Sequence, residues 1–189
     1  MGLEKYNEKR DFRKTSEPKG ESKSGTGNTY VIHKHKASRL HYDLRLQIGD
    51  VLASWAVPKG PSYDPSDKRL AVHVEDHPLD YAGFEGTIPE GEYGGGTVMI
   101  WDKGTWKCHG DPDKGLENGK ISFSIHGEKL KGDWALVKMK GKKGGKDNWL
   151  FFKEKDGQED AGYDVTGDKT GSALSGRSME EIAEEEGKS

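Results

Sequence analysis

The sequence has few of the features that would assign a fold or a compartment directly. Cys108 is the single cysteine among 189 residues, so an internal disulfide framework is excluded and a reducing compartment is favoured. No apolar run approaches the roughly 18–20 residues of a membrane-spanning helix, and the polar N-terminus has no signal-peptide core. We therefore expect a cytoplasmic protein with no membrane partner, in which Cys108 packs in or near a strand.

Several common catalytic motifs are also missing. The sequence contains no Gly-x-Ser-x-Gly, Cys-x-x-Cys or His-Glu-x-x-His, so none of these motifs assigns the chemistry. The net charge of −3 argues against a protein that coats nucleic acid non-specifically. The charge is uneven, however, because basic residues crowd segments 34–45 and 138–146, whereas acidic residues crowd 180–186. A local basic surface is therefore compatible with an acidic whole.

Glycines and short alternating segments are abundant. The 27 glycines favour tight turns over long helices, and the mean hydropathy of −0.95 indicates that part of the chain is surface loop or tail. Strand patterns occur at 41–47, 51–57, 69–75, 97–101, 105–107, 121–125, 134–136 and 149–153. Strands at this density predict a mainly β protein, built as an antiparallel barrel or sandwich. We expect turns at Gly49-Asp50 and at 102–104, and we place Trp55 and Trp101 in the core.

The chain is long enough for one domain with a core, but too short for two large ones. We predict a charged N-terminal segment, a β domain, and a loop followed by a short acidic helix, at 1–29, 30–156 and 157–189. Residues 22–28 are typical of a flexible connector. Ser178 and Glu181 have the spacing of a capping box, which predicts the start of the helix. Because this helix has few apolar residues, we expect it to lie on the surface or fray.

One segment, HKHKASRLHYDLRL (33–46), carries most of the functional information. His41, Asp43 and Arg45 alternate with apolar residues, so they share one face of a strand. Positions two apart on a strand lie roughly 6–7 Å apart, so an imidazole and a carboxylate can share one metal ion. A turn after His35 would return that side chain to the strand as a third ligand. Such a site beside an arginine predicts metal-assisted chemistry on a phosphate ester.

A second cluster lies in VHVEDHPLDYAGFEG (72–86). His77, at the end of a strand, could donate to a phosphate oxygen or act as a general acid, and Tyr81 could add a hydroxyl group. Lys59, between two prolines, and Arg69 could each contact phosphate or be simple surface charges. We expect Asp80 and Glu85 to be solvated. The sequence GEYGGG (91–96) lacks the Lys-Ser/Thr ending of a P-loop, so it predicts a strand connection that needs positive φ.

Other interpretations stay open at this point. The histidines could be surface residues beside an incidental aspartate, and His33 could compete with His35 as a ligand. A cupin-like oxygenase could use His33, His35 and His41 to hold iron. A non-catalytic binding module is a further alternative.

Four longer motifs together resemble one known family. HKHKASRLHYDLRL, SWAVPKGP, KRLAVHVEDHPLDYAGFEGTIPEGEYGGG and WDKGTW are similar to the 3′-phosphoesterase domain of bacterial ligase D, a DNA end-joining enzyme. The resemblance covers residues 5–155, and SALSGRSMEEIA is also similar to a segment of that family. It implies a small antiparallel crossed-strand β-barrel flanked by short helices. It also implies a manganese-dependent diesterase that leaves a 3′-phosphate, followed by a monoesterase that leaves a 3′-OH.

The resemblance further implies roles for individual residues. The metal ligands would be His35, His41 and Asp43, so the family pattern selects His35 over His33. The residues that engage the scissile phosphate would be Arg45, His77 and Tyr81. Supporting positions would be Lys59, Arg69, Glu75, Asp11 and Glu17, the last two in an N-terminal segment that folds over the site.

The resemblance implies DNA or DNA/RNA primer-template 3′ ends as the substrate. The polymerase and ligase domains of ligase D are not in this sequence. We therefore expect the protein to work alone or with a separate DNA ligase, polymerase or Ku-like end-binding protein.

Overall fold

A computed structural model of the protein describes residues 2–21, 27–140 and 146–186. Its strands are β1 Thr29–Lys36, β2 Leu40–Ile48, β3 Val51–Val57, β4 Arg69–Pro78, β5 Gly86–Ile88, β6 Gly96–Cys108, β7 Lys120–Gly127, β8 Lys131–Lys138 and β9 Asp147–Lys153. Its α-helices are α1 Glu4–Glu8, α2 Pro112–Asn118, α3 Val165–Asp168 and α4 Met179–Glu186, and a 3-10 helix spans Leu79–Gly83. Most of the connector predicted at 22–28, with Lys142 and Lys143 of the second basic stretch, lies outside the described residues.

The strands form a closed antiparallel barrel. Their order is β1-β2-β3-β4-β9-β8-β7-β6, and β6 pairs again with β1, so eight strands close the ring while β5 extends it at β6. All pairings between neighbours are antiparallel. The prediction of a mainly β protein with an antiparallel barrel and short helices is therefore confirmed.

The predicted turns have different outcomes. Gly49 has a φ of +65° and joins β2 to β3 as expected. The turn predicted at 102–104 is wrong, because β6 runs unbroken from Gly96 to Cys108. The Asp102 carboxylate is fully buried and accepts hydrogen bonds from the Tyr30 hydroxyl at 2.8 Å and from the Leu130 N–H at 2.9 Å. These partners come from distant parts of the chain and hold an apparent turn sequence within a strand.

The barrel interior is apolar, and β2 shows how alternation divides its two faces. Tyr42, Leu44 and Leu46 join the main core with Trp55 and Trp101, as predicted for both tryptophans. Complete burial of each large apolar side chain stabilises the fold by about 1.5–3 kcal/mol. The polar residues of β2 consequently lie on the opposite, outer face of the sheet.

The N-terminal segment lies over this outer face. Tyr6 of α1 is fully buried, in a second small cluster that contains Tyr81 and Phe84. Its ring packs edge-on against His77, with 5.0 Å between ring centroids. The Tyr6 hydroxyl donates to the Pro18 carbonyl at 2.5 Å, which ties the two ends of the segment together.

The C-terminal helix begins as the sequence predicts. The Ser178 N–H donates to the Glu181 carboxylate at 3.2 Å, and the Glu181 N–H donates to Ser178 Oγ at 3.1 Å, which forms a capping box. The expected fraying is not found, because Met179 and Ile182 join the main core. None of the described helices has the length and apolarity needed to cross a membrane.

The expectation that Glu85 is solvated is wrong. Only 1% of its side chain is exposed, and it pairs with Arg177 Nη2 at 3.1 Å. It also accepts from Ser172 Oγ and Ser175 Oγ, at 2.5 and 2.6 Å, and from the Ile100 N–H at 2.9 Å. Glu85 therefore fastens the C-terminal segment to the barrel.

Candidate functional site

The β1–β2 hairpin brings the predicted metal ligands together. His35 lies directly opposite His41 in the antiparallel register, so the intervening residues turn the chain as expected. His35 Nδ1 lies 3.7 Å from Asp43 Oδ2, and His41 Nε2 lies 3.3 Å from the same oxygen. One ligand atom from each residue falls within 4.8 Å of the others. The three side chains thus form a compact cluster on the outer face of the barrel.

Backbone carbonyls fix which nitrogen each imidazole presents to the cluster. His35 Nε2 is 2.7 Å from the Gly94 carbonyl, and His41 Nδ1 is 3.2 Å from the Arg39 carbonyl. A carbonyl oxygen can only accept, so these nitrogens carry protons, and the other two nitrogens face Asp43, where each can take a proton or bind a metal ion. Two oriented imidazole nitrogens and a carboxylate are a donor set that suits a divalent metal ion. The residues therefore fit a metal site.

The electrostatics keep Asp43 ionised. Burial raises the pKa of its carboxyl group, but hydrogen bonds with His35 and His41 and the charge of Arg45 outweigh burial and hold the pKa well below its usual value. For His41, burial lowers the pKa, whereas the hydrogen bond and charge of Asp43 raise it above its usual value overall. The cluster therefore favours a bound positive charge, whether a proton or a metal ion.

Arg45 lies beside this cluster and is held on several sides. Its Nη2 is 3.5 Å from Asp43 Oδ2, and its Nη1 donates to Ser54 Oγ at 3.0 Å. Its Nε donates to His33 Nδ1 at 3.0 Å, and His33 Nε2 is 3.1 Å from the Phe84 carbonyl. Both nitrogens of His33 are therefore engaged, which removes it as a competitor of His35 for a metal.

Arg45 also contacts Tyr81, whose ring centroid lies 4.9 Å from the guanidinium carbon and 4.7 Å from that of His77. His77 Nδ1 is 3.0 Å from the Glu75 carbonyl, so Nδ1 carries the proton and Nε2 can accept one. Burial, aided by Arg45 and Arg10, lowers the pKa of His77 well below its usual value, so the ring is neutral. The Tyr81 hydroxyl donates to the Glu17 carboxylate at 2.6 Å.

These side chains line one cavity of about 220 Å³. Its walls include Arg10, His35, His41, Asp43, Arg45, Glu75, His77, Tyr81, Tyr93 and Gly94. At ~30 Å³ for each water molecule, the volume equals roughly seven waters. The cavity is therefore large enough to hold a phosphate group beside the metal-ligand cluster and Arg45.

The other predicted site residues are distributed unevenly. Glu75 lines the cavity and pairs with Lys9 Nζ at 3.2 Å, and Glu17 is buried behind Tyr81. Asp11 instead pairs with the exposed Arg13 at 3.0 Å and is not part of the cavity wall.

Lys59 and Arg69 also lie outside the cavity wall and contact each other. Arg69 Nη1 donates to the Lys59 carbonyl at 3.3 Å, and its Nη2 lies 3.6 Å from Asp67 Oδ2. The Lys59 side chain belongs to an exposed residue. The two residues are therefore adjacent to each other, outside the cavity wall.

Sequence reasoning missed three residues at the site. Arg10 is buried, with its guanidinium 3.8 Å from the centroid of the Tyr6 ring and its Nε 3.0 Å from Glu17 Oε2. Tyr93 is 47% exposed at the rim, where Lys9 Nζ lies 3.3 Å from its hydroxyl. The only sequence signal for Tyr93 is an aromatic residue within a glycine-rich turn. Lys9 and Arg10 are indistinguishable in sequence from their charged neighbours.

Comparisons with known proteins agree on one family. Residues 33–138 match the family model described as the DNA ligase D 3′-phosphoesterase domain. The multifunctional non-homologous end joining protein LigD of Pseudomonas aeruginosa is 50% identical over 182 residues, which cover 94% of this chain and 22% of that protein. The multifunctional non-homologous end joining DNA repair protein LigD of Mycobacterium tuberculosis is 46% identical over 158 residues, covering 81% of this chain and 20% of that protein. The chain thus spans about a fifth of the length of these relatives.

Proposed function

This chain belongs to the DNA ligase D 3′-phosphoesterase domain family, and on that premise we propose that it is a metal-dependent phosphoesterase that processes the 3′ ends of DNA. The observation that carries the proposal is the cluster of His35, His41 and Asp43 directly beside Arg45. A metal site next to a guanidinium is suited to a phosphate ester, which needs charge neutralisation on its oxygens.

The proposed substrates are 3′ ends that a ligase cannot seal. A diesterase step removes a terminal ribonucleoside and leaves a 3′-phosphate. A monoesterase step then removes that phosphate and leaves a 3′-OH. The relatives are named for non-homologous end joining, and we propose the same repair context here, with a DNA ligase, polymerase or Ku-like end-binding protein as partners.

We propose manganese as the ion, held by His35, His41 and Asp43. Three protein ligands leave open coordination positions, and imidazole with carboxylate is a donor set that first-row divalent ions accept. When bound, the ion would supply Lewis acidity toward a phosphate oxygen and lower the pKa of a coordinated water.

The protein's own groups would then divide the remaining work. Arg45 would neutralise charge on the non-bridging oxygens through Nη2, which Ser54 and His33 do not use and which lies 3.5 Å from Asp43 Oδ2. His77 accepts a proton on Nε2, from the attacking water or from a protonated monoester, and can return it to the leaving oxygen. The neutral tautomer of His77 supports this role, since Nε2 begins without a proton.

The remaining predicted site residues would support substrate binding. Lys59 and Arg69, which are adjacent, would hold the phosphodiester backbone leading to the 3′ end. Glu17 and Glu75 would act through the side chains that they contact, Tyr81 and Lys9. Asp11 would order the N-terminal segment through Arg13.

The test is a 5′-labelled primer with one 3′ ribonucleotide, annealed to a template and incubated with or without manganese. The proposal predicts a shorter product with a 3′-phosphate, followed by conversion to a 3′-OH, and neither product after chelation. Tight duplex binding without either product, with every divalent ion tried, would instead support an end-binding module. The oxygenase alternative is disfavoured because His33 uses both nitrogens within the protein.

A further inference from the structure

We propose that His33 is a positioning residue that fixes the orientation of the Arg45 guanidinium as an uncharged hydrogen-bond acceptor. The inference deepens the proposed function, and its kinetic test rests on that function. Its geometric basis, however, is independent of any substrate. His33 lies opposite Asp43 in the β1–β2 register, with Arg45 two positions further along the same face.

One tautomer of His33 satisfies both of its hydrogen bonds. The ring is fully buried, with Nε2 placed 3.1 Å from the Phe84 carbonyl and Nδ1 placed 3.0 Å from Arg45 Nε. The carbonyl can only accept, so Nε2 must carry the proton. Arg45 Nε can only donate, so Nδ1 must carry the lone pair. The Phe84 carbonyl therefore sets the tautomer that Arg45 requires.

The Phe84 carbonyl belongs to a well-anchored part of the chain. The Phe84 N–H donates to the Tyr81 carbonyl at 3.0 Å. The next residue, Glu85, is buried and held by Ile100 and Arg177. The Tyr81 ring also packs edge-on against His33, with 5.4 Å between centroids. Because His33 bonds to both this backbone segment and Arg45, it holds the guanidinium at a fixed position relative to the segment.

An uncharged partner leaves the positive charge of Arg45 available. A carboxylate at the same place would hold Nε equally well, but it would neutralise the guanidinium and weaken its attraction for phosphate. Ser54, the second acceptor on Arg45, is also neutral, and its hydroxyl in turn donates to the Leu52 carbonyl at 3.0 Å. Two neutral acceptors therefore fix the plane of Arg45, and the carboxylate of Asp43 lies 3.5 Å from its Nη2.

The kinetic test compares His33→Leu with His33→Gln. Leucine fills the space but leaves the buried Arg45 Nε–H without an acceptor, and we expect kcat/KM on a 3′-phosphate primer to fall by about 10–100-fold, as for other groups that orient a site residue. Glutamine offers a carbonyl to Arg45 and an N–H to Phe84, so we expect most of the activity to return. His126→Leu, a change at an exposed histidine on β7, is the matched control and keeps wild-type activity.

A double-mutant cycle with Arg45→Ala identifies the route of the effect. If His33 acts through Arg45, His33→Leu has no further effect on kcat/KM once Arg45 is alanine. Full additivity of the two losses would overturn the inference, as would a glutamine variant that folds normally yet is as slow as leucine.

A measurement on the wild-type protein tests the inference even if the protein is inactive or the His33 variants do not fold. Nitrogen-15 NMR of the imidazole should show His33 protonated on Nε2, with Nδ1 accepting from an Arg45 Nε–H that exchanges slowly. Protonation on Nδ1, or a rapidly exchanging Arg45 Nε–H, would overturn the positioning role even in an active enzyme. An inactive protein that shows the expected NMR signature would instead overturn the proposed function and leave the His33–Arg45 arrangement standing.

Discussion

At the scale of single residues, four histidines of the site share one hydrogen-bonding pattern. Each donates one N–H to a backbone carbonyl, which fixes the direction of its other nitrogen: His33, His35, His41 and His77. The backbone therefore determines which nitrogen each ring presents to its surroundings. His35 and His41 present a nitrogen to Asp43, where a proton or a metal ion can bind, His33 presents a lone pair to Arg45, and His77 keeps a lone pair that can accept a proton. Identical side chains thus acquire three different roles from their partners.

The orientation of Arg45 leads to a prediction for Arg45→Lys. Lysine keeps the positive charge but has no Nε–H for His33 and no fork to reach Ser54. We expect kcat to fall by roughly 10²–10³-fold, the usual cost of losing a fixed electrostatic donor. Manganese affinity, measured by calorimetry on the same samples, should stay within about twofold. An equal loss of metal affinity would mean that Arg45 supports the ion rather than the phosphate.

At the scale of elements, two terminal segments brace the site. The N-terminal segment covers the outer face through Tyr6, which packs on His77 and Tyr81. The C-terminal segment is fastened by Glu85, next to the carbonyl that His33 uses. The barrel strands set the relative positions of the metal ligands. The N-terminal segment covers the site, and the C-terminal segment fixes the chain next to the carbonyl that His33 uses.

Tyr6→Ala tests the role of the N-terminal segment. Tyr6 is fully buried, and replacing a buried aromatic side chain by alanine costs about 3–5 kcal/mol. We expect this cost to release the segment, so that trypsin cleaves at residues 9–14 while the barrel stays folded by circular dichroism. Activity should fall at the same time, because Arg10 leaves the cavity wall. Unchanged cleavage and activity would show that the segment does not depend on this anchor.

Glu85→Gln tests the C-terminal anchor through pH. Burial raises the pKa of Glu85, but its hydrogen bonds with Ser172, Ser175, Ile100 and Arg177 lower it below the usual 4.5 overall. A lowered carboxyl pKa stabilises the fold above pH 4.5, and this stabilisation is lost as the pH falls toward the folded-state pKa. The Tm of the wild type should therefore exceed that of the variant at pH 7. This difference in Tm should become smaller below about pH 4.5. A gap independent of pH would argue that the charge of Glu85 is not what anchors the tail.

At the scale of the whole molecule, basic and acidic residues are unevenly distributed. The net charge is −3, yet Arg45 lines the cavity, and Lys59 and Arg69 add basic side chains outside its wall. The exposed acidic residues of α4 lie on a segment that packs against β5 and β6. Nucleic acid would therefore be drawn to one side of the barrel rather than to its whole surface.

This charge distribution predicts a moderate salt dependence. If Lys59, Arg69 and Arg45 each contact one phosphate, the affinity for duplex DNA should fall about 40-fold between 50 and 200 mM salt. The affinity for a 3′-phosphorylated mononucleotide, which lacks the adjoining backbone, should fall much less over the same salt range. The measurement is the slope of log KM against log salt concentration for duplex DNA and for the mononucleotide. Equal slopes for the two substrates would mean that Lys59 and Arg69 do not bind the strand.

Features that depend on local alternation of polar and apolar residues could be predicted from the sequence. Period-two patterning predicted strands within β2 to β4 and β6 to β9, but not β1 or β5. The spacing of His35, His41 and Asp43 predicted a cluster that the β1–β2 register brings together. The sequence could not predict features that depend on contacts between distant segments. Asp102 is held within a strand by Tyr30 and residues 128–130, and Glu85 is buried by residues of the tail. Arg10 enters the cavity wall only because α1 packs on β4.

The most direct test measures phosphate release from a 3′-phosphorylated DNA primer as a function of free manganese, for wild type and Asp43→Ala. Asp43 is the oxygen donor that both imidazoles face. We predict saturable, manganese-dependent release by the wild-type protein and no detectable release by the variant at any concentration, although both proteins fold. Equal release by Asp43→Ala, or release by the wild-type protein that persists after complete chelation, would contradict the metal centre on which the account depends.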